Sequence, residues 1–191
     1  LDKNIPHGAG LGGGTSDAAA VLRAAVEMWG VEMPVTEALL SVGADLPVCV
    51  YGKPCRMRGI GEVLEPLDGF PPLDLVLSRP RKLSAATGAV FGALERVENA
   101  PIIPWDGGEV VAWLRGLRND LEPATEQVAG SFVRMRNQLN NALSQLTRMS
   151  GSGTAFFGVF PSEDAAQRAA FDVRGNNRLQ WAQAVRTGGS A

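Results

Sequence analysis

The chain has 191 residues, of which 45% are hydrophobic and 20% charged, and its formal net charge at pH 7 is −2. This composition is typical of a globular protein with one large or two small domains. The near-neutral charge gives no support for a nucleic-acid-binding surface, and the apolar runs are too short to span a membrane. The single histidine excludes a histidine-rich metal site. Two cysteines, Cys49 and Cys55, form no disulfide framework, so we expect free thiols in a reducing cytoplasm.

The first part of the chain predicts mainly helices, followed by a hairpin and a strand. Residues 16–30, SDAAAVLRAAVEMWG, predict a helix with Ser16 or Thr15 as its cap. A second short helix is expected between Thr36 and Gly43. The elements expected next are an extended segment at 44–52, a hairpin at 54–68 turning at Gly59 and Gly61, and a buried strand at 73–78.

The second part begins with a predicted helix at 84–97, started by Ser84, and a loop at 98–108. Three more helices and one strand are expected: helices at 108–117, 131–148 and 162–171, and a strand at 154–160. Ser162 is expected to cap the last helix. Helices and strands alternate without a strict βαβ repeat, which predicts an α+β fold in two parts with a break near residue 78.

A glycine-rich segment, HGAGLGGGTSDAAA from His7 to Ala20, leads directly into the first predicted helix. Its unpaired backbone N–H groups at a helix N-terminus favour an anion, and the glycines allow that anion to come close to the backbone. We therefore predict a phosphate-binding loop. A Walker motif is absent because no lysine precedes Thr15. Two alternatives remain, namely a dinucleotide site with Glu32 as its acidic partner and a glycine turn that binds nothing.

Three stretches together resemble the motifs of the GHMP kinases, the family of galactokinase, homoserine kinase and mevalonate kinase. They are PHGAGLGGGTSDAAA (6–20), GADLPVCVYGKPCRMRGIGEVLEPL (43–67) and MSGSGTAFFGVF (149–160). The resemblance implies the two-domain GHMP kinase fold, with a ribosomal S5 domain 2-like N-terminal part and a ferredoxin-like C-terminal domain. Residues 1–78 would be the remainder of the nucleotide-binding domain, and residues 79–191 the substrate domain. The family's first motif, which carries a catalytic lysine, has no counterpart here, so we expect a portion of the protein to precede Leu1.

The resemblance also implies roles for particular residues. Asp45 would be the catalytic base, which accepts the proton of the attacking hydroxyl. On sequence alone, it also fits a turn or N-cap aspartate before Pro47. The expected ATP-binding residues are Lys3, Pro6, His7, Gly8, Ala9, Gly10, Leu11, Gly12, Gly13, Gly14, Thr15 and Ser16, and the Ser16 hydroxyl would also reach Mg²⁺. The expected substrate-binding residues are Ile60, Phe91, Gly151, Ser152 and Gly153. Phe91 would stack on a cytosine ring, although its spacing also fits a core position, and Lys3 also fits a surface position.

The activity implied is transfer of the ATP γ-phosphate to the 2-hydroxyl of a cytidine-diphosphate-linked methylerythritol, a step towards isoprenoid precursors by the non-mevalonate route. The expected partners are a small-molecule substrate and ATP with Mg²⁺, with no nucleic acid or membrane. The oligomeric state expected is a monomer or a weak homodimer. The alternatives are a GHMP kinase acting on homoserine or mevalonate, a nicotinamide or flavin dehydrogenase, and a non-catalytic nucleotide-binding fragment.

Overall fold

The structure is a computed structural model, and it describes residues 2, 5–6, 8–81, 83–95, 98–130, 132–175 and 180–188. Its contacts divide the chain into two compact units. Unit 1 comprises Leu1–His7 and Gly12–Phe70, and unit 2 comprises Gly8–Leu11 and Pro71–Ala191. The strand that the sequence predicts at 73–78 lies in unit 2. The functional division at residue 78, between a nucleotide part and a substrate part, stays a prediction.

The described residues of unit 1 form three helices and a hairpin. Its elements are α1 (Gly13–Trp29), α2 (Thr36–Val42), α3 (Leu46–Tyr51), β1 (Cys55–Arg58) and β2 (Val63–Pro66). The antiparallel hairpin pairs Cys55 with Pro66 and Arg58 with Val63, which confirms the predicted turn. A small core joins the three helices through Ala19, Leu39 and Leu46.

The segment 44–52 was expected to be extended, and this prediction is wrong because α3 occupies most of it. Val48 and Val50 favour a strand on local grounds. Pro47, however, stands in the first turn of a helix, where proline is tolerated, and Gly52 ends that helix with a φ of 66°. Leu46 is 1% exposed and packs in the core with Ala19 of α1. Burial of this apolar face overrides the local preference of the two valines.

Unit 2 contains a four-stranded antiparallel sheet in the order β4-β5-β3-β6. Its elements are β3 (Asp74–Pro80), α4 (Thr87–Gly92), α5 (Val110–Gly116), α6 (Leu121–Ala129), α7 (Val133–Asn141), β4 (Leu146–Met149), β5 (Phe156–Phe160), α8 (Glu163–Gly175) and β6 (Gln180–Arg186). In chain order, these elements are one strand, four helices, two strands, one helix and one strand. The strand order and this sequence of elements are ferredoxin-like. The α+β, ferredoxin-like prediction for this part of the chain is therefore confirmed.

Several helix boundaries in unit 2 differ from the predicted ones. Helix α4 begins after Ala86 rather than at Ser84, and neither α6 nor strand β6 was predicted. The helix expected at 131–148 ends at Asn141, because Leu143 has a φ of 63° and residues 146–149 pair with β5. The last helix, by contrast, has the predicted cap, since the amide of Ala165 donates to Ser162 Oγ.

The core of unit 2 lies between the sheet and helices α7 and α8. It is formed mainly by buried apolar residues, among them Val76, Leu139, Met149, Phe156 and Ala169. A second buried cluster joins α4 to α6 through Val90 and Ala124. No helix in the described part of the chain is long and apolar enough to cross a membrane. Both cysteines are free thiols, as expected.

Candidate functional site

The N-terminus of α1 is formed by backbone alone. Gly12 precedes the helix with φ 62° and ψ 17°, and among the described residues no side chain caps the first turn. The expected cap at Thr15 or Ser16 is therefore wrong: the Ser16 hydroxyl instead donates to the carbonyl of Gly13, at 3.0 Å. The first turn also contains no acidic residue. The Ser16 amide donates to the Gly12 carbonyl at 2.8 Å, so the amides that precede it and the positive end of the helix dipole are left available to an anion.

Four glycines of this segment, Gly8, Gly10, Gly12 and Gly14, fall into three groups by what surrounds them. Gly8 and Gly12 have positive φ values of 59° and 62°, and a Cβ added at either would meet no atom within 4 Å. At Gly10, by contrast, an added Cβ would lie 2.3 Å from the carbonyl oxygen of Ser150, so this glycine is required for packing. Gly14 has neither a positive φ nor a neighbour within 4 Å. A glycine that neither backbone nor packing requires is what the close approach of a ligand would explain.

Residues 8–11 belong to unit 2, where they are held by the turn between β4 and β5. The Ser150 hydroxyl donates to the carbonyl of Gly10 at 2.7 Å. The amide of Ala155 donates to the carbonyl of Ala9 at 2.9 Å. Gly151 is also close, since a Cβ there would lie 3.1 Å from the Gly10 carbonyl oxygen. The structure thus brings together two motifs that are about 140 residues apart in the sequence.

Asp45 stands immediately before α3 and is exposed. It occupies the N-cap position, but its φ of −84° and ψ of −6° are helical, and its carboxylate makes no capping hydrogen bond. The capping role that the sequence left open is therefore not realised. Its neighbours Leu46 and Pro47 are buried, whereas Asp45 itself is exposed.

The turn of the hairpin in unit 1 lies against the segment that carries Asp45. A Cβ at Gly61 would come 2.2 Å from the carbonyl oxygen of Ala44, so the two backbones are in direct contact. Ile60, which precedes Gly61, is 73% exposed. Its amide donates to a carboxylate oxygen of Glu62 at 2.7 Å, which fixes the turn. Asp45 follows Ala44 and Ile60 precedes Gly61, so each of these two candidate residues is next in the sequence to a residue of this contact.

A second pair of candidate residues lies in unit 2. Phe91 is 54% exposed, whereas its neighbour Val90 fills the core position of α4. The core alternative for Phe91 is therefore wrong. Ser152 is buried, and its hydroxyl shares a hydrogen bond of 3.1 Å with the hydroxyl of Thr87, one helical turn before Phe91. Thr125 Oγ1 also donates to the Ser152 carbonyl, at 3.1 Å.

Two of the expected residues, Lys3 and His7, lie outside the described residues. Four further residues near the glycine turn were missed: Thr87, Asn119, Thr125 and Ser150. For Asn119 the sequence offers one indication, because an asparagine side chain often accepts a hydrogen bond from the backbone amide two residues later, at the start of a helix. That signal predicts a cap and gives no indication of contacts with a turn 30 residues further along the chain.

The charges of Asp45 and Arg23 act on the thiol of Cys49, which is half-buried in α3. Burial raises the pKa of Cys49, the Asp45 carboxylate raises it further, and the Arg23 guanidinium lowers it. Arg23 also donates to the carbonyl of Cys49 at 2.8 Å. Cys49 therefore stays a thiol at neutral pH. In the described part of the chain, no three His, Cys, Asp or Glu side chains cluster as a metal site.

Two family models match the chain on either side of its middle. The GHMP kinases N terminal domain matches residues 1–57, and the GHMP kinases C terminal model matches residues 110–178. The chain thus has the fold and the paired domains of a class of small-molecule kinases.

Individual relatives narrow this class. A 4-diphosphocytidyl-2-C-methyl-D-erythritol kinase of Jannaschia sp. (strain CCS1) is 42% identical over 91% of this chain and 63% of its own length. The enzyme of that name from Cereibacter sphaeroides (strain ATCC 17025 / ATH 2.4.3) is 41% identical over 99% of this chain and 70% of its own length. A crystal structure of a 4-(cytidine 5'-diphospho)-2C-methyl-D-erythritol kinase is 34% identical, with a TM-score of 0.82, over 100% of this chain and 70% of that one. The chain belongs to the GHMP kinase family, in the group of the 4-diphosphocytidyl-2-C-methyl-D-erythritol kinases.

The chain spans less than two thirds of the length of the first relatives that it matches, with 63%, 65% and 60% of three of them. A homoserine kinase from Cytophaga hutchinsonii is 19% identical with a TM-score of 0.67, over 97% of this chain and 67% of that one. At that identity, the similarity establishes the fold alone.

Proposed function

We propose that this chain carries the ATP-binding and substrate-binding parts of a kinase that phosphorylates the 2-hydroxyl of 4-diphosphocytidyl-2-C-methyl-D-erythritol. The observation that carries the proposal is the N-terminus of α1, with its uncapped amides, the left-handed Gly12 and the open space at Gly14. A helix N-terminus of this kind binds phosphate groups. The names of the relatives supply the substrate.

ATP would lie with its phosphates at the amides that precede Ser16 at the start of α1, and residues 6–11 are expected to bind it as well. The Ser16 hydroxyl donates a hydrogen bond to the Gly13 carbonyl, so the lone pairs of its oxygen are not used in that bond. These lone pairs, with phosphate oxygens, fit the ligand preferences of Mg²⁺, which usually binds few protein groups when it accompanies a nucleotide. When bound, Mg²⁺ supplies charge neutralisation on the phosphates.

The chemical step requires the substrate hydroxyl to be oriented and its proton to be accepted. Asp45 fits this role because its carboxylate is exposed and is not used as a helix cap. Since the transition state of phosphoryl transfer is loose, a carboxylate is a sufficient base. Ile60 would line the pocket near Asp45, because its turn contacts the residue before Asp45. Phe91 would stack on the cytosine, and Gly151–Gly153 would border the bound substrate.

The test is a transfer assay with the full chain, ATP and Mg²⁺, offered 4-diphosphocytidyl-2-C-methyl-D-erythritol, homoserine or mevalonate. Phosphorus NMR of the products identifies the position of the new phosphate. We expect transfer to the cytidyl substrate alone, at its 2-hydroxyl. Preference for one of the other alcohols would reject the substrate, and failure to bind ATP would reject the kinase function.

The free thiols and the small-molecule substrate also favour a cytoplasmic location.

A further inference from the structure

Asn119, just before α6, uses its whole side-chain amide in hydrogen bonds. Its Nδ2 donates to the carbonyl of Met149 at 3.0 Å and to the carbonyl of Gly151 at 2.8 Å. Its Oδ1 accepts from the amide of Leu121 at 3.0 Å, which starts the helix. One side chain therefore joins the start of α6 to both ends of the segment 149–151.

That segment is the first half of the turn that holds residues 8–11. Ser150, between the two carbonyls that Asn119 binds, donates its hydroxyl to the Gly10 carbonyl at 2.7 Å. The Ser150 carbonyl accepts from the amide of Gly153, which closes the turn. The Met149 carbonyl lies in the peptide plane that ends at the Ser150 Cα, and the Ser150 carbonyl lies in the plane that begins there. Because a residue's φ and ψ are the only soft backbone dihedrals between two planar peptides, fixing both planes fixes the direction of the Ser150 side chain.

We propose that Asn119 is a positioning residue for ATP: it fixes the peptide planes around Ser150, and Ser150 then fixes the backbone of residues 8–11, which are among the residues expected to bind ATP. This inference rests on the proposed function. It assigns a role to a residue of α6 that does not itself touch the nucleotide. All the contacts that support it lie within unit 2.

The chemistry of the amide explains why an asparagine serves here. Only the Oδ1 acceptor is needed to start α6, and an aspartate would supply it equally well. The Nδ2 donor is needed for the two carbonyls of the turn, and a carboxylate oxygen at that place would face two carbonyl oxygens with no proton between them. Helix capping alone therefore explains the Oδ1 acceptor of Asn119 and does not explain its Nδ2 donor.

The experiment measures the ATP dissociation constant by calorimetry, without the alcohol substrate, for a set of variants. Asn119→Ala removes both functions of the side chain, whereas Asn119→Asp keeps the acceptor for Leu121. We expect each to weaken ATP binding about tenfold, from the loss of the turn's hydrogen bonds. If only Asn119→Asp weakens binding, the cause is repulsion by the new charge, and the proposal is wrong.

A double-mutant cycle with Ser150→Ala tests whether Asn119 acts through Ser150. In the Ser150→Ala background, we expect Asn119→Ala to change ATP affinity by less than about threefold, because the link is already broken. If the two substitutions weaken ATP binding by independent factors that multiply in the double variant, the proposal is wrong. A loss of stability alone would not produce this coupling.

Val173→Ala is the matched control for stability. Val173 is a buried core residue of α8 in the same unit, so its truncation lowers the unfolding temperature and leaves the turn intact. We expect its ATP affinity to equal that of the unmodified chain. If the unmodified chain does not bind ATP, the proposed function fails and this inference fails with it. If it binds ATP and the folded Asn119 variants bind equally well, only this inference fails.

Discussion

The hydroxyl of Ser150 donates a hydrogen bond of 2.7 Å to the carbonyl of Gly10. The same Gly10 has its Cα so close to Ser150 that an added Cβ would lie 2.3 Å from the Ser150 carbonyl oxygen. Two glycine-containing turns are therefore packed backbone to backbone within unit 2. Gly10 is thus a structural residue, and its neighbours in the sequence need not share that role.

Gly10→Ala is expected to destabilise the protein by more than about 2 kcal/mol, since it adds a clash to the strain of a φ of 71°. Urea unfolding measures the loss. Gly8→Ala is the matched control, because its φ of 59° is also positive but its surroundings are open. This variant should lose only the stability that alanine costs in a left-handed conformation, about 1–2 kcal/mol. Equal losses at the two positions would contradict the packing.

Gly14→Ala is expected to separate stability from function. Gly14 is helical and has open space around it, so alanine should leave stability unchanged or raise it by up to about 1 kcal/mol. ATP affinity should nevertheless fall about tenfold or more, since the methyl group stands where phosphates approach the amides. Calorimetry and thermal unfolding measure the two effects. Gly116→Ala, also helical and in open space, should leave ATP affinity unchanged. Full ATP affinity in Gly14→Ala would argue against phosphates at this helix end.

Asp45→Asn is expected to slow phosphoryl transfer by about 10² or more, with ATP affinity unchanged. The unfolding temperature should change little, because the carboxylate makes no capping hydrogen bond. Steady-state kinetics with saturating ATP measure the rate. Asp68→Asn, at another exposed aspartate of unit 1, serves as the control and should keep the full rate. An unchanged rate in Asp45→Asn would remove this carboxylate from the mechanism.

Phe91→Ala is expected to raise the KM for the cytidyl substrate about tenfold while stability stays nearly constant, because the ring is more than half exposed. Its neighbour gives the opposite pattern. Val90 is 0% exposed, so Val90→Ala should cost about 2 kcal/mol of stability through lost burial. Substrate kinetics and urea unfolding distinguish the two. Should Phe91→Ala prove as destabilising as Val90→Ala, with KM unaltered, the stacking role is wrong.

The thiol of Cys49 reports the charge of Asp45. Because the carboxylate raises the pKa of Cys49, removing it in Asp45→Asn should lower that pKa. A larger thiolate fraction then makes alkylation by iodoacetamide faster at pH 8. The measurement is made in a Cys55→Ser background, which leaves a single thiol. Arg23→Gln, which removes the opposing cation, should slow the reaction. Identical rates for Asp45→Asn and its parent would mean that the two side chains do not interact.

The sequence by itself determined those elements whose signals are local. Helix α8 has its serine cap and acidic first turn, the β1–β2 hairpin turns on its own glycines, and β3 is a short apolar run between prolines. In each case, the residues that specify the element are neighbours in the chain. The glycine motifs and their order were equally visible, and they identified the family.

Only the tertiary structure decided which residues of those motifs serve packing and which leave room for a ligand. Gly10 and Gly14 are the same residue type four positions apart, but only Gly10 has a backbone against it. Asn119 reaches a turn 30 residues away, and α3 forms because Leu46 is buried in a core with α1. These outcomes depend on contacts between distant segments, whose free energies outweigh the small local preferences that a sequence displays.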